Sequence, residues 1–326
     1  MCFPKRGGVE MDRIKVGVIG VGNMGENHVR SYEALKHKCE LVGIYDVDRA
    51  TSEELAQGYG IKAFESVENL LENVDAVNIV TPTSTHYELA MKAIEKGVHL
   101  LIEKPITGIV EEARNILKSA GNKNLVLQVG HIERFNPVIR ALPELLTDKE
   151  IIALDVKRMG PYDPRINDTD VIQDLMIHDI DIVSSLVSDS LNKISAYGRM
   201  IKSENHMDYV VANLIMEKGV VASLTASRVT NKKVREMTIT TDSSFIEVDY
   251  LHKKISLTQK GGLVSDNKDL NQEKVEEEYQ NEEEPLKAQL AHFIDCIIDG
   301  TRPLIAGTEG LEALKITKKI QNQVYN

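Results

Sequence analysis

Apolar residues fall in short blocks over the first 130 residues of the chain. These blocks are rich in Val, Ile and Leu, and they are separated by longer segments that suit helices. Short continuous apolar runs are typical of strands that are buried on both faces of a sheet. The predicted strands cover 14–19, 41–45, 63–64, 76–80, 100–102 and 125–129. Predicted helices begin near Asn23 and cover 52–59, 66–73, 84–96 (capped by Ser84 or Thr85) and 110–121. The alternation predicts a parallel, doubly wound sheet.

From about His131 onward the pattern changes to extended segments rich in Val, Ile and Thr. Several of them are joined by turn-like sequences, which favours antiparallel hairpins. The predicted strands cover 151–159, 193–200, 209–216, 220–227, 236–241, 244–250 and 254–258. A helix is predicted over 171–187, and two more over 285–298 and 308–324. This part should form an open, mostly antiparallel sheet that carries the helix 171–187 between its first strands.

The chain is therefore expected to be an α/β protein with two domains. Residues 1–10 lack the apolar core of a signal peptide and are expected to be a disordered extension, so that Met11 would serve equally well as a start. Residues 11–130 form the doubly wound domain. Residues 131–326 form a substrate-binding and oligomerisation domain, whose last helices can pack back on the first domain. The stretch 266–284 holds nine acidic residues and two lysines and is predicted to be a solvated loop; the alternative is an acidic docking tail.

Charge and cysteine usage narrow the class of protein further. The net charge of −11 over 326 residues argues against nucleic acid as a partner, because a polyanionic ligand requires a basic surface. Three cysteines at wide spacing form neither a disulfide framework nor a pattern of metal ligands. No apolar run is long enough to cross a bilayer. These features predict a cytoplasmic protein.

A glycine-rich turn follows the first predicted strand. Gly20, Gly22 and Gly25 have the spacing G-x-G-x-x-G. In such a turn the first glycine allows a tight reversal, the second lets a pyrophosphate approach the backbone, and the third lets the next helix pack on the strand. The second strand ends at Asp46, where an acid can accept hydrogen bonds from ribose hydroxyls and repel a 2′-phosphate. The order of these elements predicts a dinucleotide-binding Rossmann domain rather than a glycine turn that serves packing alone.

The expected cofactor is NAD rather than NADP, although Arg49 lies nearby and could meet a phosphate; the alternative for Arg49 is a solvated helix residue. Ligands of doubly wound sheets bind at the carboxyl ends of the strands. The candidate cofactor-binding residues all lie at these ends: Gly20, Gly22, Asn23, Met24, Gly25, Asp46, Thr81, Pro82, Thr83, His86, Glu103 and Lys104.

Lys104 is the first candidate catalytic residue. It follows Glu103 at the end of a predicted strand and precedes Pro105, which would fix the backbone, with a cis bond as one way of doing so. A lysine at this position can stabilise the alkoxide that develops on a substrate hydroxyl as hydride leaves. The alternative is a surface lysine in a turn.

The helix predicted over 171–187 carries the second candidate site. Asp174, His178 and Asp181 recur at i, i+4 and i+7, which places them on one helix face. Histidine can accept a proton near neutral pH, and Asp174 could orient the imidazole and favour its protonated form. A lone histidine on a helix can instead be structural. The triplet could also bind a divalent metal, but no second cluster of ligands accompanies it, so no metal is expected.

Basic side chains gather around the boundary between the two domains. In an acidic protein such a group favours a phosphorylated or nucleotide-bearing substrate, because guanidinium groups bind phosphate oxygens bidentately. The alternative is salt bridging to the protein's own acids. The candidate substrate-binding residues are His131, Arg134, Asn136, Arg158 and Arg165.

Three motifs together resemble the glucose-fructose oxidoreductase, inositol dehydrogenase and MocA family over nearly the whole chain. They are the glycine turn, Glu103-Lys104-Pro105 and Asp174-x-x-x-His178. The resemblance implies that Lys104 and His178 are catalytic, that Asp174 assists them, and that the open sheet forms the interface of a homodimer or homotetramer.

A narrower resemblance joins the segment from Gly130 to Pro137, GHIERFNP, with the segment from Gly160 to Arg165, GPYDPR. This pair is similar to family members that oxidise the C3 hydroxyl of UDP-N-acetylglucosamine before an aminotransferase acts on the ketone. It implies oxidation of that sugar nucleotide or of its uronic acid, in the synthesis of amino sugars for glycans. Two alternatives are a dehydrogenase of inositol or another free polyol, and a non-catalytic NAD-binding regulator.

Overall fold

A computed structural model describes residues 13–164, 169–259, 274–279 and 284–326. The expected extension 1–10 and the alternative start at Met11 lie outside the described residues, as does Arg165. The first domain contains a parallel sheet of six strands, which confirms the doubly wound prediction. Its strands run in the order β3-β2-β1-β4-β5-β6. They are β1 (Ile14–Ile19), β2 (Cys39–Tyr45), β3 (Lys62–Ala63), β4 (Ala76–Ile79), β5 (His99–Glu103) and β6 (Leu127–Gly130).

The strand order reverses between β1 and β4, and this reversal creates the crevice in which such sheets bind ligands. Five helices connect the strands of the first domain. They are α1 (Asn23–Ala34), α2 (Arg49–Tyr59), α3 (Val67–Leu71), α4 (Thr83–Lys96) and α5 (Val110–Asn122). Helix α2 begins three residues before its predicted start because the Asp48 side chain caps it at Thr51. The predicted cap of α4 is wrong, because Pro82 occupies the N-cap and the Thr85 hydroxyl donates back to the Pro82 carbonyl.

The second domain contains a sheet of eight strands, in which every neighbouring pair is antiparallel except β7 and β10. This confirms the prediction of a mostly antiparallel sheet. The order is β14-β13-β12-β11-β7-β10-β9-β8. The strands are β7 (Ile151–Met159), β8 (Leu191–Arg199), β9 (Tyr209–Met216), β10 (Val221–Ser227), β11 (Val234–Thr241), β12 (Ser244–Asp249), β13 (Lys254–Gln259) and β14 (Lys274–Glu278).

Strand β14 corrects the prediction of a loop over the whole of 266–284. It pairs with β13, and Glu276 forms an ion pair of 2.5 Å with Lys254 across the two strands. A cross-strand pair of opposite charges favours an extended backbone in a segment whose composition suggests only solvation. The rest of the acidic stretch, apart from Tyr279 and Glu284, lies outside the described residues.

A short 3₁₀ turn over Ile132–Phe135 and helix α6 (Pro137–Leu145) follow β6, and the sequence pattern predicts neither of them. The predicted helix over 171–187 is divided into a π-helical turn (Ile172–Met176) and helix α7 (Ile177–Val187). Helix α7 packs on the inner face of the second sheet, where Ile180 and Val183 are fully buried.

The two final helices pack against the first domain. Helix α8 (Pro285–Asp299) contributes Leu290 and Phe293 to the core that surrounds β1. The backbone of Ile305 accepts a hydrogen bond from Val129, and helix α9 (Gly307–Tyr325) then returns to the second domain, where Ile320 is buried. The chain therefore crosses between the domains at 131–136 and again through these helices.

Candidate active site

The glycine turn between β1 and α1 has the geometry of a dinucleotide-binding loop. Gly20 has a φ of +89°, and a Cβ on Gly25 would overlap the carbonyl oxygen of Gly20, so a side chain is excluded at both positions. In contrast, a Cβ on Gly22 would meet no atom within 4 Å. The free space above Gly22 lies at the N-terminus of α1, where unpaired N–H groups and the helix dipole favour a pyrophosphate.

Asp46 at the end of β2 is oriented by the backbone of this turn. Its carboxylate accepts hydrogen bonds from the N–H groups of Val21 at 2.7 Å and Asp48 at 2.9 Å. One bond to each oxygen leaves each with a further lone pair for a ribose hydroxyl. Arg49 is paired with Glu53 at 2.6 Å and Glu65 at 3.7 Å, which matches the alternative of a solvated helix residue.

A crevice of about 690 Å³ lies over the carboxyl ends of β1, β2 and β4. Its lining includes seven of the candidate cofactor residues, namely Gly20, Gly22, Asn23, Met24, Asp46, Thr81 and Pro82. The open side of Gly22 and the free acceptor sites of Asp46 both fit a dinucleotide. Five of the candidates do not line this crevice: Gly25, Thr83, His86, Glu103 and Lys104.

His86 connects the crevice to the loop that carries Lys104. Its Nδ1 lies 2.9 Å from the carbonyl oxygen of Pro105, and its Nε2 lies 2.9 Å from that of Thr81. The ring is buried, and burial lowers its pKa, while the two carbonyl groups oppose this shift. We interpret His86 as a bridge between the β4 and β5 ends rather than as a residue that touches the cofactor.

Glu103 ends a buried polar chain that the sequence pattern had not revealed. Tyr32 donates to the oxygen of the Asn78 side chain, whose amide donates to Nδ1 of His28 at 2.7 Å. His28 Nε2 lies 3.0 Å from the Glu103 carboxylate and is the donor in this pair, since its other nitrogen accepts. These bonds hold the Glu103 carboxylate beside Lys104, whose N–H donates to it at 3.3 Å. Helical spacing places His28 and Tyr32 on one face of α1, but the link to Asn78 and Glu103 depends on tertiary structure.

Lys104 reaches from the first domain to the second. Its ammonium group donates to the backbone carbonyl of Asp174 at 2.7 Å, and it lies 3.4 Å from the Asp174 carboxylate. The Lys104-Pro105 bond is cis, as the sequence suggested it could be. Because an ammonium has three donors and two are used here, one remains for a substrate oxygen.

The π-helical turn changes the direction in which Asp174 points relative to His178. Asp174 lies within Ile172–Met176, whereas His178 lies in the first turn of α7. A π turn closes its hydrogen bonds at i+5, so side chains separated by four residues no longer stack on one another. Asp174 accordingly contacts Lys104, and Nδ1 of His178 is buried without a hydrogen-bond partner among the described residues.

The sequence suggests that Asp174 could favour the protonated form of His178. The structure corrects this expectation, because the surroundings of His178 disfavour its protonated form. Burial lowers the pKa of His178 well below its ordinary value, and the positive charge of Lys104 adds to this shift. The Nδ1 atom of His178 is buried, whereas the residue as a whole is partly exposed. A neutral imidazole in this position can accept a proton.

Two of the candidate substrate-binding residues, Arg158 and Asn136, are bonded to other groups of the protein. The Arg158 guanidinium is 3% exposed, donates to both carboxylate oxygens of Asp179, and donates to Glu133 at 2.9 Å. Burial raises the pKa of Glu133, but Arg158 outweighs this effect and holds it below the ordinary value. Asn136 caps α6 by accepting from Val138 and donates to Glu133. Salt bridging and capping, rather than contact with a substrate, account for these two residues.

The side chains of Arg134 and His131 are largely buried. The Arg134 guanidinium is 3.6 Å from Asp181, and it also borders a second cavity. The His131 ring is 1% exposed and meets the His178 ring edge to face, with centroids 6.3 Å apart. Of the five substrate candidates, Arg165 is outside the described residues.

No group of three His, Cys, Asp or Glu residues in the described part of the chain could hold a metal ion. Among the same residues, no helix is both long enough and apolar enough to span a bilayer.

Two family models match the chain. The NAD-binding Rossmann domain of an oxidoreductase family matches residues 14–131, and the GFO/IDH/MocA C-terminal domain matches residues 157–246. A UDP-N-acetylglucosamine 3-dehydrogenase of Acidithiobacillus ferrooxidans is 38% identical over 251 residues, which cover 77% of this chain and 79% of that protein. The chain belongs to the GFO/IDH/MocA oxidoreductase family. As a member of this family, it is an NAD-binding oxidoreductase.

Other relatives agree with the family assignment over the full length. A solved structure of UDP-N-acetylglucosamine 3-dehydrogenase GnnA from Acidithiobacillus ferrooxidans superposes with a TM-score of 0.88 at 33% identity, and it covers 96% of this chain and 98% of that chain. A scyllo-inositol 2-dehydrogenase of Bacillus subtilis is 24% identical over 96% of this chain and 95% of that protein.

Proposed function

We propose that this GFO/IDH/MocA oxidoreductase oxidises the C3 hydroxyl of UDP-N-acetylglucosamine, or of its uronic acid, to a ketone with NAD as oxidant. The observation that carries the proposal is the contact of Lys104 with Asp174, which brings an ammonium group from one domain to the π turn that precedes His178. An acid-base pair of this kind, beside a dinucleotide crevice, suits the oxidation of an alcohol.

The residues that would hold NAD are those that line the crevice. Gly22 leaves its backbone open to the pyrophosphate, and Asp46 can accept hydrogen bonds from the adenosine ribose. When bound, NAD supplies the acceptor for the hydride that leaves the substrate carbon.

We assign a separate role to each of the three candidate catalytic residues. His178 is neutral at physiological pH and takes the hydroxyl proton at Nε2. Lys104 uses its free donor to bind the same oxygen and stabilises the negative charge that develops there. Asp174 holds the Lys104 ammonium through its carbonyl and carboxylate, so it acts as a positioning residue.

The choice of a nucleotide sugar is supported by the relatives. The protein of Acidithiobacillus ferrooxidans that is 38% identical carries the name of that activity. Arg158 and Asn136 are bonded within the chain, so they do not support the choice of a nucleotide sugar. A second candidate function, the oxidation of inositol or another free polyol, is favoured by the scyllo-inositol dehydrogenase that matches 96% of the chain.

The direct test is turnover of purified protein with NAD and a panel of substrates. The panel contains UDP-N-acetylglucosamine, its uronic acid, free N-acetylglucosamine and inositol, and NADH absorbance is recorded. Hydroxylamine is included to trap the ketone, because an unfavourable equilibrium would otherwise hide the product. We expect turnover with the UDP sugars alone. Turnover with inositol alone would establish the second function, and no product from any substrate would reject both.

Substitution distinguishes an enzyme from a non-catalytic regulator. In a strain that lacks the gene, Lys104→Ala and His178→Ala should both fail to restore the phenotype if catalysis is required. Full restoration by both variants would identify a regulator that only binds NAD.

We further propose that the protein is a homodimer or homotetramer and that an aminotransferase consumes its ketone product. The outer face of the second sheet exposes Tyr197, Val221 and Phe245, which are apolar side chains suited to an interface. Light scattering on the purified protein measures the oligomer size, and a change of Phe245 to Glu should dissociate it.

A further inference from the structure

Arg235 is a half-buried basic residue at the start of β11 that bonds only to backbone carbonyl groups. Its Nη1 donates to the carbonyl oxygens of Met159 at 2.6 Å and Val234 at 2.8 Å. Among the described residues, no carboxylate forms a hydrogen bond or an ion pair with its guanidinium. Since a guanidinium has five N–H donors, the Nε donor and both Nη2 donors remain for another acceptor.

Arg235 lies on the inner face of the second sheet, directly opposite Arg158. In the antiparallel pair of β11 with β7, the next pair on this face is Met237 with Val156, and both belong to the core that also contains Ile180 of α7. Directly opposed residues of an antiparallel pair point to the same face, with Cα atoms about 4.5–5.5 Å apart. Arg235 therefore extends from the sheet on the side of α7.

Arg158 connects this position to the helical turn that carries His178. The Arg158 guanidinium donates to the Asp179 carboxylate at 2.8 Å, and Asp179 directly follows His178 in α7. Arg235 is thus the neighbour of a side chain that contacts α7 one residue after the proposed base. Burial lowers the pKa of His178 most, and the charge of Arg235 is among those that add to this shift. Arg235 therefore lies close enough to His178 to contact another part of the same substrate.

The charges of the two neighbouring arginines are compensated differently. Arg158 is bonded to two carboxylates, those of Asp179 and Glu133. Burial lowers the pKa of Arg235, and the like charge of Arg158 lowers it further, against the opposing effect of the nearby carboxylates. A guanidinium stays protonated in proteins, so this shift represents a free-energy cost of holding the charge there. A bound anion would reduce that cost.

An oxyanion is the ligand that fits the remaining donors of Arg235. The Nε and Nη2 groups form a planar fork that can bind two oxygens of one phosphate or carboxylate. In a UDP-linked sugar the diphosphate is attached at C1, and in the uronic acid the carboxylate is attached at C5. Both carbons are two positions from C3, so either anion is only a few bonds from the hydroxyl that is oxidised.

We propose that Arg235 binds an oxyanion of the sugar nucleotide, which is either the diphosphate or the carboxylate of the uronic acid, through its Nε and Nη2 donors. This assignment rests on the proposed function, and it names a residue by which the site prefers a charged sugar to a free polyol. The bonds to Met159 and Val234 orient the guanidinium, because they use Nη1 and leave the fork for the substrate. Arg235 is thus a binding residue that determines specificity, and it transfers no proton.

The kinetic test compares Arg235→Met with the same substitution at a control position, Arg114→Met. Arg114 lies on the surface of α5, where it pairs with Glu111. In Arg235→Met, the KM for a UDP sugar should rise by about 10-fold to 100-fold while kcat stays within about threefold, because the contact is made equally before and during the reaction. Arg235→Lys should recover part of the loss, since it keeps the charge without the fork. Arg114→Met should change neither constant.

The two UDP sugars identify the anion that Arg235 binds. If Arg235 binds the diphosphate, Arg235→Met should raise the KM of both sugars; if it binds the carboxylate, only the KM of the uronic acid should rise. A purely structural role would lower the melting temperature and leave both KM values within about twofold of the wild type, and this result overturns the assignment. If Arg235→Met fails to fold, Arg235→Gln, which can still donate to the Met159 carbonyl, decides in the same way.

A binding measurement separates this assignment from the proposed function. Calorimetric titration of the protein saturated with NADH uses UDP, UDP-N-acetylglucosamine and its uronic acid as probes and requires no turnover. Binding of at least one probe that is weakened about 10-fold or more in Arg235→Met supports the assignment, even if no UDP sugar is oxidised and the proposed function fails. Equal affinities of wild type and variant for every probe, or no binding of any probe by the wild type, overturn it. Oxidation of a UDP sugar that is independent of Arg235 would leave the proposed function in place.

Discussion

The ammonium group of Lys104 lies 2.7 Å from the backbone carbonyl oxygen of Asp174, and these residues belong to different domains. Lys104 follows the last residue of β5, and Asp174 lies in the π turn before α7. The contact joins the first domain to the second at the point where the chemistry is proposed. Both side chains are partly exposed, 19% and 25%, so a substrate can still reach them.

Replacement of Lys104 tests its proposed electrostatic role. Lys104→Met keeps the length of the side chain but removes its charge, so we expect kcat to fall by about 10²-fold to 10³-fold. The affinity for NAD, measured by calorimetry, should change by less than about threefold, because the ammonium contacts Asp174 rather than the crevice. The control is Lys96→Met, since Lys96 pairs with Glu72 on the surface. Equal activity of the two variants would contradict the role of Lys104.

The two glycines of the turn should respond differently to alanine. Gly22→Ala adds a Cβ into open space, so the free energy of unfolding should change by less than about 1 kcal/mol, whereas NAD binding should weaken by at least about 10-fold. Gly25→Ala places a Cβ against the Gly20 carbonyl and should destabilise the fold itself. Urea unfolding and NAD titration of both variants separate the two effects. Unchanged NAD affinity in Gly22→Ala would place the pyrophosphate elsewhere.

Asp46 should determine the preference for NAD over NADP. In Asp46→Ser the carboxylate no longer accepts from a ribose or repels a 2′-phosphate. Loss of hydrogen bonds to a charged group should weaken NAD binding by roughly 1.5–3 kcal/mol, while NADP binding should improve. The control is Asp48→Ser, because serine can still cap α2. A wild type that binds both cofactors equally would show that Asp46 does not discriminate between them.

The acid limb of the pH profile should lie below the ordinary histidine range. His178 must be neutral to accept a proton, so activity is present above its pKa and is lost as the pH falls through it. Burial lowers this pKa, and the facing charges of Lys104, Arg158, His131 and Arg235 lower it further, so kcat/KM should stay constant down to below about pH 6.5.

The same shift has a consequence for stability. The folded-state pKa of His178 is below the unfolded value of about 6.5, so the unfolded state binds more protons and the free energy of unfolding decreases as the pH falls below that value. Unfolding in urea between pH 5 and pH 7.5 measures the slope, and His178→Gln should reduce it. In the kinetic experiment of the previous prediction, a fall in kcat/KM that begins above pH 7 would contradict the lowered pKa of His178.

A buried ion pair that includes none of the proposed catalytic residues provides a test of the fold. Asp208 accepts hydrogen bonds from the N–H groups of Ile201, Lys202 and Ser203 and from Arg228. Burial raises its pKa, but these donors outweigh burial and lower it to about 2. Stability from Asp208 should therefore be present above about pH 4 and be lost as the pH falls toward 2. Asp208→Ala should cost about 3–5 kcal/mol in urea unfolding at pH 7, and a loss below 1 kcal/mol would contradict this.

The cofactor site could be predicted from the sequence because its determinants are local. The glycine turn, the strand before it and Asp46 lie within one βαβ unit, and their order specifies their arrangement. The Glu103-Lys104-Pro105 triplet likewise gave the position of Lys104 at a strand end. The alternation of strands and helices predicted the first sheet, and the extended segments joined by turn-like sequences predicted the second, apart from β14.

The surroundings of His178 could not be predicted in the same way. Helical spacing placed Asp174 beside His178, but the π turn shifts the phase between them. The bonds that occupy Arg158 come from Glu133 and Asp179, which are 25 and 21 residues away in sequence. Such pairings arise only when the β6 end, β7 and α7 come together, so a count of arginines overestimates the number available to a substrate.

A crystal structure with NADH and UDP-N-acetylglucosamine tests the central claim most directly, because this pair binds without reacting. We expect the C3 oxygen of the sugar within about 3.2 Å of both Lys104 Nζ and His178 Nε2, with the C3 hydrogen directed at the nicotinamide ring. A sugar whose C3 oxygen lies beyond hydrogen-bond distance of both side chains would contradict the proposed reaction.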